Sequence, residues 1–180
     1  MKHLLAVAII LFAFAGLWVI GRVGLSPRLS VSLHAAKTKA NQLVFGVLTL
    51  VATILMNLTI FGWLLSHYAA NGISYILFGL VAACLTITAL IPHIEGTWRD
   101  SVHNVAAWGI VYILPLIMAF MLLWPLSPFA WYAVAVLVGI NSLLLLTALQ
   151  FYKQCSPWFL YFQTAYLTFF FASLLVVTYC

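Results

Sequence analysis

The residue types able to do chemistry gather in one stretch, Pro92-His93-Ile94-Glu95-Gly96-Thr97-Trp98-Arg99-Asp100-Ser101-Val102-His103-Asn104. Both acidic residues of the chain, one arginine and two of its five histidines lie here. If a helix begins near Thr97, Arg99 and His103 become i,i+4 neighbours and Asp100 lies one turn before His103 and Asn104. An acidic residue in a first helical turn also answers the positive end of the helix dipole. The expected arrangement is therefore a local one. Asp100 caps or polarises the helix, Glu95 pairs with Arg99, and His103 bonds at the rim to Asp100 or to a backbone carbonyl.

The sharper alternative is a metal site. Imidazoles and carboxylates are ligands that Zn²⁺ and other divalent ions accept, and His34, His93 and His103 with Glu95 or Asp100 could supply them if the fold brings His34 to the same place. The spacings His-x-Glu and Asp-x-x-His match no catalytic signature. Local pairing needs no such convergence, so His34 is expected to face water or lipid headgroups, and no cofactor is implied. Haem is disfavoured because His67 and His103 fall at opposite ends of their spans.

A second concentration of polar residues runs from Ser26 to Asn41, Ser-Pro-Arg-Leu-Ser-Val-Ser-Leu-His-Ala-Ala-Lys-Thr-Lys-Ala-Asn. Serine followed by proline is a helix-start signal, with Ser26 as cap and Pro27 as first residue. At about 100° per residue Leu29, Leu33, Ala36 and Ala40 share a face flanked by Arg28, Lys37 and Lys39. Two readings follow: an amphipathic arm at the membrane surface whose cations meet anionic headgroups, or a positive loop that only orients the next span.

These residues must be held by helices in a bilayer. Of 180 residues, 67% are apolar and 5% charged, against about 25% charged in a soluble domain. Nine charges cannot build a water-facing surface. A soluble enzyme, a secreted disulfide scaffold and a nucleic-acid partner are excluded, the last because the few cations are too localised to follow a phosphate backbone. A span needs about 20 apolar residues. Six runs qualify: Leu4 to Ile20, Leu43 to Leu65, Ile73 to Ile91, Val102 to Trp124, Phe129 to Phe151 and Trp158 to Tyr179. The fold class expected is an all-α, single-domain, polytopic bundle of six transmembrane helices. The first run also carries signal-peptide features, with Lys2 and His3 ahead of it and Ala13-Phe14-Ala15 within it, but apolar sequence continues to Ile20 and it is read as a retained span.

Arg22, Arg28, Lys37, Lys39, Arg99 and Lys153 fall on one side of this arrangement and only Lys2 on the other. The positive-inside rule makes the first side cytoplasmic and both termini extracytoplasmic, as in a bacterial inner membrane. Within the spans the polar groups are neutral, which disfavours an ion-coupled pump. Asn57, Asn141 and Gln163 either bond between helices or face a polar ligand head. Gly79-x-x-x-Ala83 and Ala135-x-x-x-Gly139 suggest internal packing of spans three and five, Pro115 should kink span four and open a cavity, and aromatic-rich span six is expected at the lipid-facing periphery.

The six short-looped spans, with Pro92-His93 closing the third and His103-Asn104 opening the fourth, resemble the DRAM/Sfk-type six-span proteins and related bacterial families of unknown function. The resemblance implies a membrane protein concerned with lipid organisation or stress, and it carries no catalytic residue across. The basic first loop departs from it. The function expected is binding or organising of membrane lipid, with a metal-dependent membrane enzyme or a small transporter of a neutral substrate as alternatives. Neither an oligomeric state nor a protein partner can be read.

Overall fold

The structure is a computed structural model that describes residues 1–94, 96–151, 154 and 156–180. It is 84% helical and contains no strand among the described residues. Seven helices concern the argument: α1 Lys2–Val23, α2 Val31–Ala36, α3 Lys39–Thr59, α4 Gly72–Leu90, α5 Trp98–Met121, α6 Pro128–Gln150 and α7 Phe159–Tyr179. A π-helical segment, Ile60–Leu64, and a last turn, Leu65–His67, continue α3. All but α2 are long and apolar enough to cross a bilayer. The protein is an integral membrane protein with an all-α six-span bundle.

Local chemistry explains most boundaries. The side chains of Thr38, Asn71 and Ser127 accept from the third amide beyond them and so cap α3, α4 and α6, and Pro128 opens α6 where its missing N–H costs nothing. The second span runs on to 29 residues, roughly 43 Å at 1.5 Å per residue. That exceeds the hydrocarbon thickness, so α3 must tilt or project from the bilayer.

Successive spans pack side by side, and α7 returns to touch α1 and α5, closing the bundle. The core holds Leu5, Met56, Ile60, Leu64, Leu114, Met118, Phe170 and Leu174. Because α1 contributes Leu5, Ala8, Ala15 and Val19 to the interior, a cut after Ala15 would remove core. Three packing expectations need correction. No neighbour lies within 4 Å of where a Cβ would stand on Gly79 or Gly139, so those small-residue motifs bring no helices together. The close approaches are elsewhere: a Cβ on Gly46 would stand 2.8 Å from the Ala89 carbonyl oxygen, and one on Gly109 3.0 Å from Cys84 Sγ. The peripheral helix is α6, which buries only Ala130, Val134 and Asn141. By contrast α7 buries seven residues, because Tyr166, Phe170, Leu174 and Val177 recur at helical spacing on one face turned to the core.

At mid-bundle the helix α5 continues through Pro115. Proline has no N–H, so the carbonyl of Val111, four residues back, loses its helical donor. The Tyr166 hydroxyl of α7 donates to that carbonyl. Fully buried Asn141 of α6 donates to Met118 Sδ at 3.1 Å and to the Tyr166 carbonyl at 3.3 Å. Spans four, five and six are thereby joined across the proline.

Candidate functional site: the arm face of the bundle

The connection from α1 to α3 holds a short helix, as expected, but one that starts later than Ser26-Pro27. Its helical part is Val31–Ala36, capped by Ser30, whose Oγ accepts from the Leu33 amide at 3.1 Å. Ser26 and Pro27 instead start a turn in which the Leu29 amide bonds to the Ser26 carbonyl. The reason is His34, which lies beneath the turn and is 0% exposed. Its Nδ1 is 2.9 Å from the Ser30 carbonyl oxygen, and its Nε2 accepts from the Ser26 amide at 3.2 Å. That pair of partners fixes the neutral tautomer with the proton on Nδ1. The expectation that His34 faces water or headgroups is therefore corrected. It is an internal strut of the arm, and both ring nitrogens are already occupied.

Two further bonds dock the arm on α7. Gln163 Oε1 accepts from the Val31 amide at 3.1 Å, and the Pro27 carbonyl accepts from the Leu160 amide at 2.9 Å. Gln163 thus serves the backbone of the arm. Arg28, Lys37 and Lys39 are all exposed, and among the described residues none of them has an anionic partner.

The stretch between α4 and α5 comes together largely through local contacts. His103, buried at 3% exposure, points Nδ1 at the Ile91 carbonyl oxygen, 2.7 Å away. Asp100 stands in the first turn of α5, where its carboxylate accepts from Asn104 Nδ2 at 2.6 Å and faces His93 Nε2 at 2.8 Å. The His93 and His103 rings stack with centroids 5.1 Å apart. The pair His93 and Asp100 escaped sequence reasoning, since loop geometry rather than helical spacing joins them. Arg99 lies over the Trp98 ring, 5.7 Å from its centroid. The expected Glu95 to Arg99 pair lies outside the described residues, as does Lys153.

Among the described residues no three His, Cys, Asp or Glu side chains are grouped to hold a metal ion. The proposed His34, His93 and His103 set fails for a physical reason: His34 bonds inward to its own turn, and His103 spends Nδ1 on Ile91. The three span amides do not share one pathway. Asn141 is sealed in the core, Gln163 holds the arm, and Asn57 lines an outer groove with Met1, Leu58 and Phe61.

The arm and the α4–α5 connection meet along a crevice of about 220 Å³, lined by Leu29, Leu33, Ala36, Lys37, His93 and Ile94. No family model, curated protein or solved structure matches the chain.

Proposed function

We propose that the protein binds anionic phospholipid through its arm face and so organises lipid in the surrounding leaflet. One observation supports this above the others. The arm, braced internally by His34, is fastened to the bundle through Gln163 and Pro27, and the cations Arg28, Lys37 and Lys39 on this ordered support are exposed and have no anionic partner among the described residues. An orienting loop needs its cations but has no need of a docked scaffold beneath them. The natural counter-charge for these exposed cations is the lipid itself, at about 1 kcal/mol for each Lys or Arg near an anionic surface.

From the imbalance of six Lys and Arg against one we infer a cytoplasmic arm face with both termini outside, and we propose a bacterial inner membrane as its setting. Reporter fusions at the two termini test that placement, and a cytoplasmic C-terminus would overturn it. The binding reading is tested by titrating the detergent-solubilised protein with fluorescent phosphatidylglycerol and phosphatidylcholine. The R28Q/K37Q/K39Q variant should bind the anionic lipid about 3 kcal/mol more weakly and the zwitterionic lipid equally. An unchanged affinity leaves the arm only an orienting role.

A further inference from the structure

The crevice between the arm and the α4–α5 connection has the composition of a headgroup seat. Leu29, Leu33, Ala36 and Ile94 line its apolar part, while Lys37 and His93 supply two nitrogen-bearing side chains. The two polar groups are prepared differently. Lys37 follows the last turn of α2 as its C-cap residue, and its side chain is exposed. His93 is 12% exposed, and Asp100 engages its Nε2, so Nδ1 is left without a partner among the described residues. The Asp100 charge is itself engaged, by His93 on one side and Asn104 on the other. At Asp100 an incoming anion therefore meets a carboxylate that is already engaged.

Size narrows the ligand. About 220 Å³ is below the roughly 300–1,000 Å³ of pockets that enclose a whole small molecule. It suits a phosphate with its glycerol, while acyl chains remain in the bilayer beside the apolar wall. Resting on the lipid-binding reading above, the geometry points to a site for one anionic phospholipid, its phosphate held between Lys37 and the imidazolium form of His93 and its glycerol and upper chains against Leu29, Leu33 and Ile94. In that form Nδ1 can donate to the phosphate while Nε2 donates to Asp100. Arg28 and Lys39 lie outside the crevice and add only diffuse attraction.

Native mass spectrometry of the whole protein with dimyristoylphosphatidylglycerol tests this, because it counts lipids that survive removal of the micelle. One retained lipid is expected. Lys37→Gln should lower its retention about fivefold, one cation's share at the membrane surface, and K37Q/H93Q further. R28Q/K39Q should keep the retained lipid while reducing the salt-sensitive association seen in titration. Ala36→Trp, which fills the crevice and removes no charge, should abolish the retained lipid and leave that association intact, with an unchanged melting temperature showing that the bundle is folded. Glycerol phosphate without chains should fail to displace the lipid at equal concentration. Equal losses from all the cation variants would overturn the single site while preserving the lipid-binding reading. No loss from any of them would overturn both, and displacement by glycerol phosphate would reassign the crevice to a soluble phosphate ester.

Discussion

The two ends of the bundle solve the problem of meeting water and headgroups in opposite ways. At the end carrying the termini, aromatic contacts and hydrogen bonds engage Tyr68, Lys2 and Tyr179, while the buried Trp124 Nε1 has no partner among the described residues. Tyr68 stacks on Trp124 at 5.2 Å and donates its hydroxyl to the Val177 carbonyl at 2.6 Å. Burial first, and Cys180 second, push that phenol up from its ordinary pKa, which keeps it a donor. Lys2, at this end, lies 4.9 Å from the centre of the Trp63 ring, and the Tyr179 hydroxyl bonds the Lys2 carbonyl. At the other end Arg28, Lys37 and Lys39 stand exposed on a docked arm. One end turns its polar groups onto its own rings and carbonyls, and the other carries exposed cations. Stability and binding should therefore separate between the two ends.

The largest effect belongs to the end carrying the termini. Trp124, 6% exposed, packs against both Tyr68 and Phe78, and Trp124→Ala should cost about 3–5 kcal/mol, the usual range for emptying a buried aromatic site. Unfolding in detergent measures it, and anionic-lipid affinity should stay the same in the fraction that remains folded. A parallel loss of affinity in that fraction would break the separation.

His34→Ala makes the complementary test at the arm. It strands the Ser26 amide and leaves a void, for about 1–3 kcal/mol, and it should loosen the arm without unfolding the spans. Trypsin would then cut faster at Arg28, Lys37 and Lys39, and lipid affinity would fall although no charge has been removed. Unchanged cleavage would mean that His34 is not the strut described.

Between the ends, Tyr166→Phe removes the donor to the Val111 carbonyl and should cost about 0.6–2 kcal/mol. In a Pro115→Ala background that carbonyl regains a helical N–H, so the same substitution should cost less. A double-mutant cycle on unfolding free energies reads the coupling, and perfect additivity would sever the link between proline and tyrosine. Smallest is Ala69→Gly in the turn after α3, where Ala69 has φ 46°. Relief of left-handed strain, about 1–2 kcal/mol, outweighs glycine's extra entropy of roughly 0.5–1 kcal/mol. A net gain of up to about 1.5 kcal/mol in the same assay should leave the arm end untouched.

How far these features were legible depends on how far apart in sequence their parts lie. The six spans follow from composition and length, and the Asp100 to Asn104 bond from i,i+4 spacing. Pro115 announced a freed carbonyl, yet nothing local says that Tyr166, 51 residues on, supplies the donor. Ser26-Pro27 is a sound helix start, but Ser30 satisfies the same preference. The choice between them is made by His34, whose ring takes the Ser26 amide and the Ser30 carbonyl, and by Pro27, bonded to α7. The small-residue motifs misled because spacing shows that helices can approach, while Gly46 and Gly109 show where they do. In the candidate site the cations were visible as types and positions. That they are lifted clear on a docked support, beside His93 turned by Asp100, needed the loops in place.

Anionic lipid should gather at the arm end and not at the end carrying the termini. Tryptophan reports on it directly, since Trp98 and Trp158 are exposed at the arm end and Trp131 is exposed at the other. One variant retaining only Trp98 and Trp158, and a second retaining only Trp131, would be placed in nanodiscs of phosphatidylcholine. Phosphatidylglycerol carrying a headgroup quencher would then be added to both leaflets. Preferential quenching of the Trp98 and Trp158 variant, abolished by R28Q/K37Q/K39Q and by high salt, is the predicted result; equal quenching at both ends, or quenching indifferent to the arm cations, would contradict it.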